Sequence, residues 1–286
     1  MGGTGVEADL LLIAHALEKG MGLPRPRSKF GLEKAEKLLN MLEVYYSNGL
    51  DTQRYPFVES LSVLNSYLEF TDNECKELKE RFQRLCDSCY CKQIPAGTLV
   101  ISNMEELYNS LNIEQIVYFI QSRHSIRSFQ KEKIDARVIS KVVELAQNAP
   151  SACNRQPVMV HWTCDPEKVK EIDHLIPGNK GFEGEIPNWA IITADRKMFG
   201  SSEPLQWYVN GGIYLAYFVE VLHAFKLGSC IFQIPATHPD TPLLRIAASI
   251  PENEAIIAVV GFGYPKSPNK YLAATRKTAD EVLVEF

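Results

Sequence analysis

Residues 123–157 read RHSIRSFQKEKIDARVISKVVELAQNAPSACNRQP, and this stretch gives the strongest indication of fold and chemistry in the chain. Arg123 and Arg127 lie four positions apart, with the hydroxyl of Ser125 between them. Arginine stays charged at any working pH and offers a planar fork of donors. Two such residues flanking a hydroxyl favour a phosphate over a neutral ligand. Taken alone, a motif this short is also typical of a solvated basic turn before a helix.

A helix and a small polar loop complete this stretch. Asp135 is a typical N-cap, and apolar residues recur with helical spacing over 136–148 until Pro150 ends the helix. Polar side chains are concentrated in the following loop, at Ser151, Asn154, Arg155 and Gln156. Such side chains can form hydrogen bonds with the amide-like edge of a heterocycle.

Strands and helices alternate in the remainder of the chain. Short apolar segments predict strands over 158–163, 189–194, 229–234 and 255–262, and a β-like tail at 282–286. Helical periods predict helices over 165–175, 203–226 and 240–249. The helix over 203–226 is apolar on more than one face, which is typical of a central helix or a subunit interface.

The first hundred residues are predicted to be all-helical, with no catalytic cluster. Helical periods cover 6–19, 31–47, 56–69 and 73–86, and a further helix is predicted over 104–121. Pro95 and Gly97 mark a boundary, which predicts a helical region at 1–100 and a second domain at 101–286. The helical region could cap an active site, extend a subunit contact or bind a partner, and its sequence does not indicate which.

Composition excludes some classes of function. The chain of 286 residues has a formal net charge of −5, which argues against non-specific nucleic-acid binding. No apolar run has the length of a membrane span. The N-terminus lacks the basic n-region and the cleavage site of a signal peptide. We therefore expect a cytoplasmic protein without nucleic-acid or membrane partners.

The seven cysteines are irregularly spaced, which favours reduced thiols over a disulfide framework. Cys86, Cys89 and Cys91 cluster, and Cys75 could complete a zinc set, but the usual second C-x-x-C pair is missing. We expect no metal site. Cys153 in the polar loop could be redox-active or could fill space, since thiol reactivity depends on a lowered pKa.

The motifs R-H-S-x-R-x-F and A-P-S-x-x-N-x-Q-P occur here in the order and at the interval found in the FMN-dependent nitroreductase family, which this chain resembles. Further matches follow at Leu227–Cys230, Ile250–Pro251, Gly263–Pro265 and Arg276–Lys277. The resemblance covers about 116–286. It implies an α+β, nitroreductase-like fold with a central mixed or antiparallel sheet flanked by helices. The all-helical N-terminal region precedes this part and lies outside the resemblance.

The resemblance implies FMN as cofactor and assigns its contacts. Arg123, Ser125 and Arg276 would hold the phosphate and ribityl chain, with His124 beside them. Arg127 would lie near N1 and O2 of the flavin and stabilise the anionic reduced form. The contacts implied from the partner subunit of a homodimer are Ser151, Asn154 and Gln156, and Pro150 beside them is a further implied cofactor contact.

The segment after the strand at 229–234 would contact the flavin as well, through Gln233 and Ile234. By position, the backbone donor to flavin N5 falls at Pro235 or Ala236. Proline has no N–H, so Ala236 is the predicted donor.

The implied reaction has two steps and a ping-pong order. NADH or NADPH, as a transient donor, reduces the flavin at N5, and a small organic acceptor such as a nitroaromatic or a quinone then takes the electrons. No catalytic side chain is required because the flavin carries the chemistry. Two alternatives remain open. The same fold could serve dehalogenation, flavin cleavage or heterocycle dehydrogenation, or it could be a non-catalytic module that binds flavin or a partner.

Overall fold

A computed structural model describes residues 5–26, 30–70, 76–90, 94–234 and 236–286 of the chain. The α-helices, numbered in chain order, are α1 (Val6–Met21), α2 (Leu32–Ser47), α3 (Tyr55–Phe70), α4 (Lys76–Cys89), α5 (Met104–Asn109), α6 (Ile113–Ser122), α7 (Ala136–Ala146), α8 (Pro166–Leu175), α9 (Gln206–Ala224) and α10 (Thr241–Ala247). The strands are β1 (Val158–Thr163), β2 (Asn188–Asp195), β3 (Gly228–Phe232) and β4 (Glu254–Gly263).

The chain forms two compact units, and neither is a continuous segment. The first consists of Met1–Leu111, Pro150–Pro157 and Ala194–Ile213. The second consists of Asn112–Ala149, Val158–Thr193 and Tyr214–Phe286. The polar loop over 150–157 therefore belongs to the same unit as the N-terminal helices. The domain boundary predicted near residue 100 stays a prediction.

The first unit is built on the amphipathic N-terminal helices, in which α1 packs against both α2 and α3. Their apolar stripes meet in one core, which includes Leu10, Leu17, Leu38, Leu42, Phe57, Leu61, Leu64 and Phe82. Burying a leucine or phenylalanine of this kind contributes about 1.5–3 kcal/mol. The prediction that this region is all-helical is confirmed.

The second unit contains a four-stranded sheet of order β1-β2-β4-β3. β3 and β4 are antiparallel, with Gly228 opposite Gly263 and Phe232 opposite Val259. The core on the sheet includes Phe129, Trp189, Phe232, Val259 and Ile191. The predicted α+β class, with a helical region preceding it, is confirmed.

Two predicted elements differ from the structure. The helix predicted over 104–121 is two helices, α5 and α6. The break arises because the Asn112 side chain accepts a hydrogen bond from the Gln115 N–H and starts a new helix. The predicted β-like tail is not a strand. Thr278 and Glu281 form a capping box around a 3-10 turn, and Val282 to Phe286 follow as exposed, irregular chain.

Helix α9 is not buried on every side within this chain. Val209 is 51% exposed and Tyr217 is 41% exposed, whereas Tyr214 and Phe218 are buried. An all-round apolar pattern does not distinguish a core from an interface, because both remove apolar surface from water. The prediction that α9 is a central helix is therefore wrong for its exposed side. The prediction that α9 lies at a subunit interface stays a prediction.

None of the helices in the described ranges combines the length and hydropathy that crossing a membrane requires. Among the same residues, no group of three His, Cys, Asp or Glu side chains is arranged to hold a metal ion. Cys75 and Cys91, which with Cys86 and Cys89 would make up a zinc set, lie outside the described residues.

Candidate functional site

The basic motif is held as an extended segment along β3. The Ile126 N–H donates to the Ser229 carbonyl at 2.9 Å, and Ser125 and Ser229 form a parallel bridge. Further along, the Gln130 N–H donates to the Tyr264 carbonyl at 2.8 Å. β3 is an edge strand of the sheet, so one side of it has backbone groups without a strand partner. The basic segment forms its hydrogen bond on that side.

Gly228 allows this close approach. A Cβ atom at Gly228 would lie 2.8 Å from the Cβ atom of Ile126, too close for any other residue without a shift of the backbone. This physical requirement accounts for a glycine at the start of β3, next to the motif.

A cavity of about 280 Å³ lies beside the motif in the second unit. Its lining includes Arg123, His124, His223, Lys226 and Ser229. Arg123 and Lys226 are permanent cations at neutral pH, so the cavity suits a small anion. Lys226 was not predicted as a site residue. The one feature of the sequence that could have indicated Lys226 is its position directly before the Leu227–Cys230 motif.

Arg123 forms an ion pair that leaves most of its donors available. Its Nε atom lies 3.3 Å from Oε1 of Glu220 on α9. Within the described ranges, the terminal Nη1 and Nη2 atoms have no hydrogen-bond partner. Arg123 can therefore donate these two groups to an anion while Glu220 holds the base of the guanidinium.

His124 and the C-terminal tail are in contact. The ring of His124 stacks on the ring of Tyr271, which begins the tail that carries Arg276. Arg276 itself is exposed, and its Nη1 atom donates to the carbonyls of Ala274 and Thr275. The predicted convergence of Arg123, Arg127 and Arg276 on one ligand stays a prediction.

Arg127 lies close enough to β3 to act on Cys230. Burial raises the pKa of the Cys230 thiol, and the positive charge of Arg127 opposes this shift as the smaller effect. The thiol therefore remains neutral.

His223 is held neutral in the wall of the cavity. Its Nε2 atom lies 2.8 Å from the Ser122 hydroxyl. Burial lowers the pKa of His223, and the nearby charges of Arg123 and His124 lower it further, against the opposing effect of Glu220. His223 therefore adds no positive charge to the cavity at neutral pH.

The loop over 150–157 is fixed within the first unit by Arg155. This side chain is almost fully buried and donates to both carboxylate oxygens of Glu203, at 2.8 and 2.6 Å, and to the Met198 carbonyl at 2.8 Å. Its guanidinium also lies 4.5 Å from the centre of the Phe199 ring. The interpretation of Arg155 as a heterocycle contact is wrong, because these partners occupy its donors.

The other polar side chains of the loop remain partly accessible and contact a residue of α3. Asn154 and Gln156 both donate to the Tyr55 hydroxyl, at 3.1 and 2.6 Å. The Ser151 hydroxyl accepts from the Gln156 backbone N–H at 3.1 Å. Tyr55 was missed from the sequence because it lies 99 residues before Asn154 and no local pattern connects the two.

The predicted residues after β3 have different environments. Gln233 and Ala236 are exposed, and the Ile234 side chain is buried in the core. Ile234 can therefore reach a ligand only through its backbone. Pro235, the alternative position for the N5 donor, lies outside the described residues.

A larger cavity of about 620 Å³ lies elsewhere in the second unit. Two of its carboxylates have partners, with Glu185 bound to Lys266 at 2.7 Å and Asp173 accepting from Asn179 and Gly184. None of the predicted site residues in the described ranges lines this cavity. The smaller cavity at Arg123 is the better candidate because the predicted residues Arg123 and His124 line it.

Comparison with known proteins finds similarity to nitroreductases. Residues 120–179 match the model of the nitroreductase family. A protein of Archaeoglobus fulgidus, named as an NADH dehydrogenase/NAD(P)H nitroreductase, is 26% identical over 166 residues, which cover 57% of this chain and 92% of the relative. Iodotyrosine deiodinase of Nematostella vectensis is 22% identical over 221 residues, which cover 68% of this chain and 80% of the relative.

A nitroreductase from Desulfovibrio desulfuricans, solved in complex with FMN, superposes with a TM-score of 0.52 at 19% identity. The superposition covers 62% of this chain and 98% of that chain. The C-terminal part of this chain has the nitroreductase fold. The resemblance proposed from the two sequence motifs is confirmed.

The stretch that matches the nitroreductase family includes both the basic segment and the polar loop. In this chain the loop packs with the N-terminal helices in the first unit, where Ala152 contacts the cluster formed by Ala8, Leu11, Met198 and Phe199. The helical region is therefore bound to one of the two motifs that carry the nitroreductase resemblance.

Proposed function

We propose that this chain is an FMN-dependent oxidoreductase that transfers electrons from NAD(P)H to a small organic acceptor by a ping-pong mechanism. The observation that carries the proposal is the basic segment. Arg123, Ser125 and Arg127 are held along an edge strand of a nitroreductase fold, beside a cationic cavity. When bound, FMN would supply hydride acceptance and donation at N5.

The donors at the basic segment fit the phosphate of FMN. The terminal amino groups of Arg123 are available, and Lys226 adds a positive charge to the same cavity. Ser125 supplies a hydroxyl donor, and Arg276 would contribute from the tail. A phosphate dianion forms shorter and stronger hydrogen bonds with such groups than a neutral ligand does.

Arg127 would stabilise the negative charge that develops on the N1 and O2 edge of a reduced flavin. Its effect on the Cys230 pKa indicates that its charge acts at β3. A fixed cation at the position where charge develops lowers the energy of the reduced state without reorganisation. The residues after β3, including Gln233, Ile234 and Ala236, would contact the ring, with Ala236 donating its backbone N–H to N5.

We further propose a homodimer in which Pro150, Ser151, Asn154 and Gln156 contact the flavin of the partner subunit. Apolar side chains on α6 support a protein interface. Ile113, Val117 and Ile120 are 68%, 43% and 60% exposed. An apolar helix face of this kind is typical of an interaction site.

The test is whether the purified full-length protein binds FMN and whether NAD(P)H reduces it. We expect a yellow protein, or FMN uptake with a shifted flavin absorbance, followed by anaerobic bleaching on addition of NADH or NADPH. A colourless protein that takes up no FMN would refute the proposal. Bound flavin that neither nucleotide reduces would exclude NAD(P)H as the donor and would favour either the non-catalytic alternative or a reaction with another reductant.

A second candidate is reductive dehalogenation. The similarity to iodotyrosine deiodinase favours it, because that match extends over 221 residues of alignment. Turnover of nitroaromatics or quinones with NAD(P)H supports the first candidate. Halide release from iodotyrosine with a chemical reductant, without turnover of nitroaromatics, supports the second.

A further inference from the structure

We propose that Tyr55, in the helical region, is a positioning residue for the flavin-binding loop. Its hydroxyl holds the amide side chains of Asn154 and Gln156 in the orientation that the cofactor requires. This inference rests on the proposed function, since it concerns the loop that would contact FMN. It gives the N-terminal helical region a specific part in the same site.

The phenol is the common partner of both amides. The Asn154 Nδ2 and Gln156 Nε2 atoms lie 3.1 and 2.6 Å from the Tyr55 hydroxyl, and Gln156 Nε2 also lies 3.0 Å from Asn154 Oδ1. The three side chains therefore form a closed set of hydrogen bonds. With its amide nitrogen directed at Tyr55, Gln156 keeps its Oε1 atom as an acceptor for a ligand N–H, such as the imide N–H of a flavin ring.

The backbone of the loop is strained and needs support of its own. Cys153, Asn154 and Gln156 have φ values of 52°, 51° and 45°. Residues other than glycine rarely occupy this left-handed region, and each costs of order 1 kcal/mol or more. Three such residues within four positions persist only if surrounding contacts determine them.

Those contacts come from both sides of the loop. The Ala152 N–H donates to Asn210 Oδ1 at 2.7 Å, and the Arg155–Glu203 pair fixes the middle of the loop. These bonds hold the backbone and leave the side chains of Asn154 and Gln156 free to rotate. Tyr55 contacts those two side chains, so it decides their orientation.

The surroundings keep Tyr55 as a neutral phenol. Burial raises the pKa of Tyr55, and the nearby carboxylates of Glu59 and Glu18 raise it further. A neutral hydroxyl can accept from amides and also donate its own proton. The same arrangement therefore persists at every pH at which the enzyme would work.

The test compares Tyr55→Phe with the matched control Tyr45→Phe in the full-length protein. Tyr45 also lies in the helical region, and its hydroxyl contacts Glu7 Oε1 at 3.0 Å and the Asp51 carbonyl at 3.3 Å. FMN affinity is measured by quenching of flavin fluorescence. We expect Tyr55→Phe to raise the FMN Kd about five- to tenfold, as expected for loss of one net hydrogen bond. Tyr45→Phe should leave the Kd unchanged.

A double-mutant cycle with Gln156→Ala identifies the route of the effect. If Tyr55 acts through Gln156, the double variant should have the same FMN Kd as whichever of Tyr55→Phe and Gln156→Ala has the higher Kd. Fully additive losses would overturn the proposal. Arg123→Ala separates this result from the proposed function. If Arg123→Ala weakens FMN binding and Tyr55→Phe does not, the inference alone is wrong, whereas a wild-type protein that binds no FMN overturns both.

Hydrogen exchange on the cofactor-free variants covers the case in which Tyr55→Phe is less stable. We expect faster exchange in the loop over 150–157, with exchange in α2 as in the wild-type protein. Uniformly faster exchange throughout the helices would indicate a purely structural role and would overturn the proposal.

Discussion

The imidazole of His124 stacks on the phenol ring of Tyr271, with ring centroids 3.8 Å apart and planes inclined by 8°. This contact brings the start of the C-terminal tail onto the basic motif, 147 positions earlier in the chain. It connects the tail carrying Arg276 to the segment carrying Arg123, next to the hydrogen bond that the Asn269 side chain donates to the Ser128 carbonyl at 2.8 Å.

Removing the ring of Tyr271 should weaken FMN binding. An aromatic pair contributes about 0.5–1.5 kcal/mol beyond its burial, so Tyr271→Ala should raise the FMN Kd by about two- to tenfold. Tyr271→Phe keeps the ring and should bind FMN as the wild-type protein does. Equal affinities for all three proteins, measured by fluorescence titration, would show that the tail is not needed for binding.

Arg123→Ala should discriminate between FMN and riboflavin. A hydrogen bond to a charged group contributes about 1.5–3 kcal/mol, so the FMN Kd should rise by about 10- to 100-fold. Riboflavin lacks the phosphate, and its affinity should be unchanged. The control is Arg137→Ala, since Arg137 is exposed and pairs only locally with Asp135. If Arg123→Ala weakens riboflavin binding as much as FMN binding, Arg123 does not contact the phosphate.

Breaking the ion pair of Arg155 and Glu203 should destabilise the first unit. The Arg155 guanidinium is fully buried and the Glu203 side chain is 30% exposed, so loss of the Glu203 charge should cost part of the about 3–5 kcal/mol that a fully buried pair would. Glu203→Gln should therefore lower the urea midpoint substantially, as followed by circular dichroism. Asp135→Asn breaks the exposed pair with Arg137 and should cost less than about 1 kcal/mol. Similar midpoints for the two variants would contradict this prediction.

Glu59 should make stability depend on pH. Burial, and then the charge of Glu18, raise its pKa from 4.5 to about 7. Below pH 4.5 the carboxyl is protonated in both states. As the pH rises towards 7, the unfolded chain loses this proton first, so stability decreases, by about 3 kcal/mol in all.

The measurement for Glu59 is the free energy of unfolding of wild type and Glu59→Gln across this pH range. The variant carries no titrating group at this position, so its advantage over wild type should grow from acidic to neutral pH and then stay constant. Two curves that remain parallel would show that Glu59 is ionised in the folded protein.

Much of the fold follows from local patterns. Asp135 marks the start of α7 because its side chain accepts from the Arg137 N–H, and this is a local interaction. The break between α5 and α6 was missed although Asn112 is also an N-cap, because the apolar period continues across it. The sequence predicted that α9 is buried on every side, whereas one side is exposed. Hydropathy alone does not say which apolar face stays exposed in a single chain.

The sequence by itself determined the fold class and the two motifs, since the spacing of Arg123, Ser125 and Arg127 and of the residues after Pro150 is a local property. Only the tertiary structure decided which distant groups complete each motif. It places Tyr55 on Asn154 and Gln156, Glu220 on Arg123, and Glu203 on Arg155. The reason is that hydrogen bonds and ion pairs act over a few ångströms in space, so partners far apart in the chain meet only when folding has fixed the backbone between them.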